Sequence, residues 1–280
     1  MISGTGVWAE TGAQNEAEQL HMPKVLENED MPTGLQTIWS CLYFGTYPAA
    51  EIVTDEWDAV DEYAVREGDV IADGNLFRLL SGADWENARV TLEGRQYVRI
   101  NSRKAVTAAE NREQHYRWKD LEAWHYFLEE PVRWRVLSLK DGKALLLADR
   151  ILDCAPFNLT DRAVTWDTCT LRSWLNGYGR EQNADGVDYT GVGFYDLAFS
   201  SGEQEALLPA SCKTPDNLDY GTDSGPDTQD KVFLLSNEEV YADASAAEHG
   251  FYAGRGYDDP SKRFSSTMYA KCRGAWWSPV

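Results

Sequence analysis

Residues 132–148 read Val132-Arg133-Trp134-Arg135-Val136-Leu137-Ser138-Leu139-Lys140-Asp141-Gly142-Lys143-Ala144-Leu145-Leu146-Leu147-Ala148. Over Val132 to Val136, apolar and basic side chains alternate. A strand sends successive side chains to opposite faces, so this pattern marks one half-buried strand. Asp141-Gly142 is a favoured pair for a two-residue hairpin, because both positions need positive φ. Ala144 to Ala148 is continuously apolar, as in a central strand covered on both faces. The stretch therefore predicts an antiparallel hairpin at the heart of a sheet.

Working upstream, Ile38 to Gly45 is an apolar, β-prone run, expected to end at Gly45 and Pro48. Residues 50–128 have the look of an elaboration. Asn75 is expected to cap a short helix carrying Leu76, Phe77, Leu79 and Leu80. Val90 to Leu92 and Gln96 to Ile100 flank Glu93-Gly94 as a second hairpin. Glu110 to Phe127, charged and aromatic, is expected to form a helix lying on the core. Residues 1–38 are polar and acidic, and are expected to be a tail or linker.

Downstream, Thr168 or Thr170 can cap a helix in which Leu171, Trp174 and Leu175 share a face. Gly177 stands where such a helix needs a left-handed residue. Ser200 with Glu203, and Ser236 with Glu239, have capping-box spacing. Leu235 and Val240 can staple the second box, which Lys231 to Leu235 feeds as a strand. The fold class expected is α+β.

Acidic residues outnumber basic ones by 46 to 26, a formal charge of −20, which repels nucleic acid and anionic membrane surfaces. No stretch approaches the ~20 apolar residues of a membrane span, so membrane insertion is not expected. Met1 to Asp30 lacks the basic and apolar regions of a secretory signal. Localisation stays open: a cytosolic protein, or a piece of something longer. Cys41, Cys154, Cys169, Cys212 and Cys272 lie far apart, with no zinc spacing. They are expected to be reduced and to behave as small hydrophobes.

Several segments together resemble a bacterial family, domain of unknown function 6273. They are Tyr43 to Pro48, Val132 to Leu137, Thr165-Trp166-Asp167-Thr168-Cys169-Thr170-Leu171-Arg172-Ser173-Trp174-Leu175-Asn176, Ala198-Phe199-Ser200 with Glu203-Gln204, Asp230 to Ser236 and Ser266 to Lys271. The likeness extends over about residues 39–280. That family is similar to C-type-lectin-like domains, in which a small twisted antiparallel sheet, flanking helices and long loops present a variable surface. The resemblance implies a single lectin-like domain over 39–280, a non-catalytic binding role toward protein, peptide or glycan, and often a cell-surface or secreted setting. It implies no catalytic residues. Relatives run on past Trp276-Trp277-Ser278-Pro279 into further strands, so the chain is expected to be truncated at its C-terminus.

The candidate site is the run from Asp216 to Asp230. Five carboxylates among Gly and Pro turns could wrap a hard cation such as calcium through oxygen ligands, with Asp219, Asp223, Asp227 and Asp230 as donors. The spacing is not that of an EF-hand. The plainer alternative is a solvated loop whose Asp side chains stabilise turns. Tyr220, Asp227, Trp276 and Trp277 are the candidate ligand contacts, because aromatic faces suit sugar rings and peptides. An alternative function is a metal-dependent hydrolase, such as a glycosidase, built on the same acidic loop. Four histidines occur without a GxSxG turn or a cysteine motif, and there is no phosphate-binding glycine loop.

Overall fold

A computed structural model describes residues 5–10 (backbone only), 20–30, 34–56, 67–101, 122–216, 221–236, 239–240, 248–251 and 266–273. In chain order the strands are β1 (Thr5–Glu10), β2 (Lys24–Glu27), β3 (Leu35–Ile38), β4 (Cys41–Val53), β5 (Val70–Ala72), β6 (Arg89–Leu92), β7 (Arg95–Ile100), β8 (His125–Lys140), β9 (Lys143–Ala148), β10 (Leu207–Leu208), β11 (Ala210–Cys212), β12 (Thr228–Asp230) and β13 (Val232–Leu234). The helices are short: α1 (Gly74–Ser81), α2 (Thr170–Asn176), α3 (Phe194–Ala198), α4 (Ser201–Ala206) and α5 (Met268–Cys272). The protein is thus mixed α and β, with strand predominating.

The chain divides into two compact units. One holds residues 1–45, 132–149 and 156–259; the other holds 46–131, 150–155 and 260–280. The stretch read as an elaboration is most of the second unit.

In the first unit β8 and β9 form the predicted hairpin, running from Trp134 opposite Ala148 to Lys140 opposite Lys143. Asp141 (φ 52°) and Gly142 (φ 74°) both take the left-handed conformation the tight turn needs. A register shift between Val136 and Ser138 marks a bulge. Strand β9 is covered on both faces. Leu145 and Leu147 pack with Leu137, Phe233, Leu235 and Val240, while Ala144 and Leu146, also fully buried, face the other way. Trp134 is fully buried, stacks toward Phe199 at 6.2 Å and donates from Nε1 to the Phe44 carbonyl at 2.7 Å.

Residues 1–38 are not simply a tail. Strand β1 pairs antiparallel with β9, placing Val7 opposite Leu146, and meets β10 and β13 along its other edge. Strands β2 and β3 form a separate hairpin. The apolar edge of β9 needs a partner for its backbone groups, and β1 supplies it.

Strand β4 does not stop at Gly45 or Pro48. Gly45 takes φ +72° within it, and its N–H donates to Glu203 Oε1 at 2.8 Å. A Cβ there would lie 2.6 Å from the Ala198 carbonyl, so only glycine fits.

In the second unit β5 runs parallel to the end of β4, with Ile52 opposite Ile71. Strands β6 and β7 form the second predicted hairpin around Glu93 (φ 51°) and Gly94 (φ 78°). Strand β7 pairs antiparallel with the start of β8. This corrects the helix expected over Glu110–Phe127: His125 to Phe127 are strand, their aromatic spacing serving a sheet, and 102–121 lie outside the described residues. Ile52, Leu80, Tyr97, Tyr126 and Leu128 form this unit's core. Helix α1 is capped by Asp73, not Asn75; its carboxylate accepts from the Asn75 and Leu76 amides at 3.0 and 2.9 Å.

Candidate functional site

The acidic run belongs to a hairpin of the first unit, in which β11 and β12 pair from Ala210 opposite Asp230 to Cys212 opposite Thr228. Its foot is fixed by a buried polar network centred on Asp230, which is wholly buried. Oδ1 accepts from Arg172 Nε at 2.8 Å and the Tyr178 hydroxyl at 3.2 Å. Oδ2 accepts from Trp166 Nε1 at 3.0 Å and Thr228 Oγ1 at 2.5 Å. Burial, then the Asp230 charge, push both the Tyr178 hydroxyl and the Cys212 thiol up to about 12.

Helix α2 carries this network because of how it is anchored. Its N-cap is Cys169, not Thr168 or Thr170: the thiol accepts from the Arg172 amide at 3.4 Å. Burial raises this thiol to about 11, keeping it neutral. Gly177 closes the helix at φ 65°, as its position predicted. Asn176 Oδ1 accepts from the Lys231 and Val232 amides, both at 3.0 Å, and its Nδ2 donates to the Val232 carbonyl at 2.8 Å. The side chain thereby takes the place of a neighbouring strand beside β13.

Above this foot the loop is tied by its own acids. Asp227 pairs with Lys213 and accepts from the Thr214 amide at 3.3 Å. Asp216 Oδ1 accepts from the Ser224 amide and hydroxyl, each at 3.0 Å. These bonds hold both carboxyls below their ordinary value. For Asp227 the Lys213 side chain is the largest cause, and for Asp216 the Ser224 amide. Gly225 lies so close to Thr165 and Asp167 that a Cβ would meet Thr165 Oγ1 at 2.7 Å.

Three of the four expected cation ligands are among the described residues, and each is placed separately. Asp230 is committed to its four donors in the interior, Asp227 to Lys213 and Thr214, and Asp223 lies on the loop. Asp219 and Tyr220 fall outside the described residues, as do Trp276 and Trp277. Among the described residues no three His, Cys, Asp or Glu side chains are placed to share a metal ion.

Both capping boxes form. Ser200 and Glu203 exchange bonds at the start of α4; Ser236 accepts from the Glu239 amide at 3.2 Å and donates its own amide to Glu239 at 2.8 Å. Burial alone would raise the Glu203 carboxyl, but bonds from Ser200 and the Gly45 amide bring it below its usual value. The five cysteines are free thiols, with Cys169 and Cys272 buried.

Sequence reading missed a second polar centre, in the other unit. Asp69 is almost fully buried and accepts from Lys271 Nζ at 2.8 Å and from Arg150. Asp153 accepts from the Tyr47 hydroxyl at 2.6 Å and Arg273 Nε at 3.0 Å. Burial, then Asp153, raise both Tyr47 and Tyr269 well above the ordinary phenol value. The residues are far apart in sequence, and no local motif announces the pairing. His125, expected on a helix, instead sits on β8 with Nδ1 2.6 Å from Glu51 Oε1.

Residues 141–278 match the family model of a domain of unknown function, DUF6273. The match begins at the Asp141 turn, so the motifs at Tyr43–Pro48 and Val132–Leu137 lie outside it. It takes in β9, the Arg172 helix and the β11–β12 hairpin. No curated protein and no solved structure matches the chain. No described helix is long and apolar enough to cross a membrane.

Proposed function

We propose that this chain, which belongs to the DUF6273 family through residues 141–278, is a non-catalytic binding module with a C-type-lectin-like core. Its ligand is a protein, peptide or glycan, taken by the loop between β11 and β12. The observation that carries this reading is the contrast within one hairpin. Asp230 at the foot is wholly buried and fully bonded, whereas the Lys213 and Asp227 side chains above it are 77% and 44% exposed. Recognition surfaces are commonly loops held on a rigid scaffold, because a loop can change its side chains without disturbing the core. Short helices, a mostly antiparallel sheet and long connections support the lectin-like part of the reading.

The test is an array of glycans and peptides probed with the full chain, alone and with millimolar calcium. It is repeated with a variant whose residues 216–224 are replaced by a Gly-Ser segment. Binding lost in the folded variant supports the reading. Unchanged binding overturns it. So does turnover of a glycoside panel by the wild type that disappears in Asp227→Asn. Asp230 is unsuitable for that substitution, since its loss disturbs the fold itself.

A further inference from the structure

The alternation along β8 puts Arg133 and Arg135 on one face of the strand, away from buried Trp134. Arg133 lies opposite Asp149. The Asp149 amide donates to the Arg133 carbonyl at 3.0 Å, and Arg133 Nη1 donates to Asp149 Oδ2 at 3.1 Å. Arg135 Nε donates to Asp149 Oδ1. Two guanidinium groups thus share one carboxylate. Strand β4, the neighbour of β8, completes the face. Trp39, Cys41 and Tyr43 follow at alternate positions. The Arg135 guanidinium carbon lies 4.7 Å from the Trp39 ring centroid, and Arg133 bonds the Cys41 sulfur and lies close enough to Tyr43 to interact with it. All six residues belong to the first unit.

Tyr43 is 70% exposed and the Arg133 side chain 51%. A guanidinium has five N–H donors, and Asp149 takes one of them at Arg133 Nη1. Burial raises the Cys41 thiol, which therefore stays neutral; the charged groups acting on it are Arg133, Asp149 and Arg135, two positive against one negative. This local surplus runs against a chain with twenty surplus negative charges. An ion pair between exposed groups is weak, so a carboxylate from outside competes readily with Asp149 for Arg133. Tyr, Trp and Arg are also the side chains that dominate binding at protein interfaces.

We propose that the face centred on Arg133 and Tyr43 docks an acidic peptide segment of a partner protein. Glu or Asp side chains of that segment match the planar guanidinium forks, and its apolar groups rest on the Tyr43 ring. Asp149 is then an internal stand-in for a carboxylate of the partner. A long polyanion such as nucleic acid would meet the negative charge of the rest of the chain, whereas a short acidic segment meets the positive face alone. The face shares no residue with the β11–β12 loop, so it is a second surface, tested apart from that loop.

The experiment titrates the ¹⁵N-labelled full chain with a short, terminally blocked peptide of Glu-Leu-Ser repeats and follows the amide signals of Tyr43, Arg133 and Arg135. The same peptide with Gln in place of Glu is the uncharged control, and a heparin oligosaccharide is the anion of another class. Saturable shifts with the Glu peptide that weaken as salt rises, and none with the Gln peptide, are expected. Arg133→Gln should weaken binding by roughly tenfold or more, and Tyr43→Ala by about threefold or more. Asp149→Asn should tighten it by about threefold or more, because it removes the competing carboxylate. A purely structural Arg133–Asp149 pair would move both of its variants in the same direction. Circular dichroism confirms that the variants fold, and the variant with residues 216–224 replaced should bind the peptide unchanged. No shift with the Glu peptide, an equal response to the Gln peptide, weaker binding in Asp149→Asn, or preference for heparin at matched ionic strength would each overturn the proposal.

Discussion

Replacing Asp230 by Ala removes the acceptor for four donors at once: Arg172 Nε, Trp166 Nε1, Thr228 Oγ1 and the Tyr178 hydroxyl. Arg172 is only 8% exposed, so its charge stays buried with the Asp167 carbonyl, at 2.9 Å, as its remaining side-chain hydrogen-bond partner among the described residues. Breaking a buried ion pair by deleting one member costs about 3–5 kcal/mol, because the survivor is left uncompensated. For a unit of this size each kcal/mol moves Tm by about 2–4 °C, so the fall should be roughly 6–20 °C. Asp230→Asn should be nearly as damaging, because its amide nitrogen presents a donor to donors. Removing both charges in Arg172→Leu/Asp230→Leu should cost less than the sum of the single changes. Urea unfolding gives the free energies. A second readout is the Cys212 thiol, which Asp230 helps to keep protonated; in Asp230→Ala it should react faster with a thiol reagent at mildly alkaline pH. A loss under about 1 kcal/mol together with unchanged thiol reactivity would refute the idea that this carboxylate anchors the hairpin.

Two further outcomes are expected. The carboxyls of Asp216 and Asp227 are lowered on folding, so their contribution is fully present above the unfolded value of about 3.9 and is lost as pH falls through the folded value. Below that point the amides of Ser224 and Thr214 should lose their acceptors, seen as upfield amide proton shifts, while the buried β9 amides stay unchanged. At Gly193, a Cβ would sit 2.5 Å from the Trp174 carbonyl and 2.7 Å from Gly177 Cα; Gly193→Ala should therefore destabilise by about 1–3 kcal/mol through overpacking, measured by urea unfolding.

What the sequence revealed was local. Asp141-Gly142, Glu93-Gly94, Gly177 and the two capping boxes each carry their signal within a few residues, and each formed where expected. What it concealed was pairing at a distance. Nothing in Thr5-Gly-Val-Trp-Ala-Glu10 announces that it joins β9, because that partner is more than a hundred residues away. Mixed aromatic spacing before Phe127 suits a helix or a strand, and the tertiary partner β7 decided for strand. Asp230 was legible as an acid near a turn, yet its side chain belongs to Arg172 and the interior. The face around Arg133 joins residues from three separate segments, so no window of sequence contains it.

The clasp of Lys213 and Thr214 on Asp227 has a practical consequence. It closes the neck of the loop before its tip begins, and chain inserted beyond a closed neck adds little to the ordering cost: doubling a flexible segment adds only about 0.6 kcal/mol. The tip is thus a natural graft point, where foreign peptides of varied length can be displayed without redesigning the domain beneath.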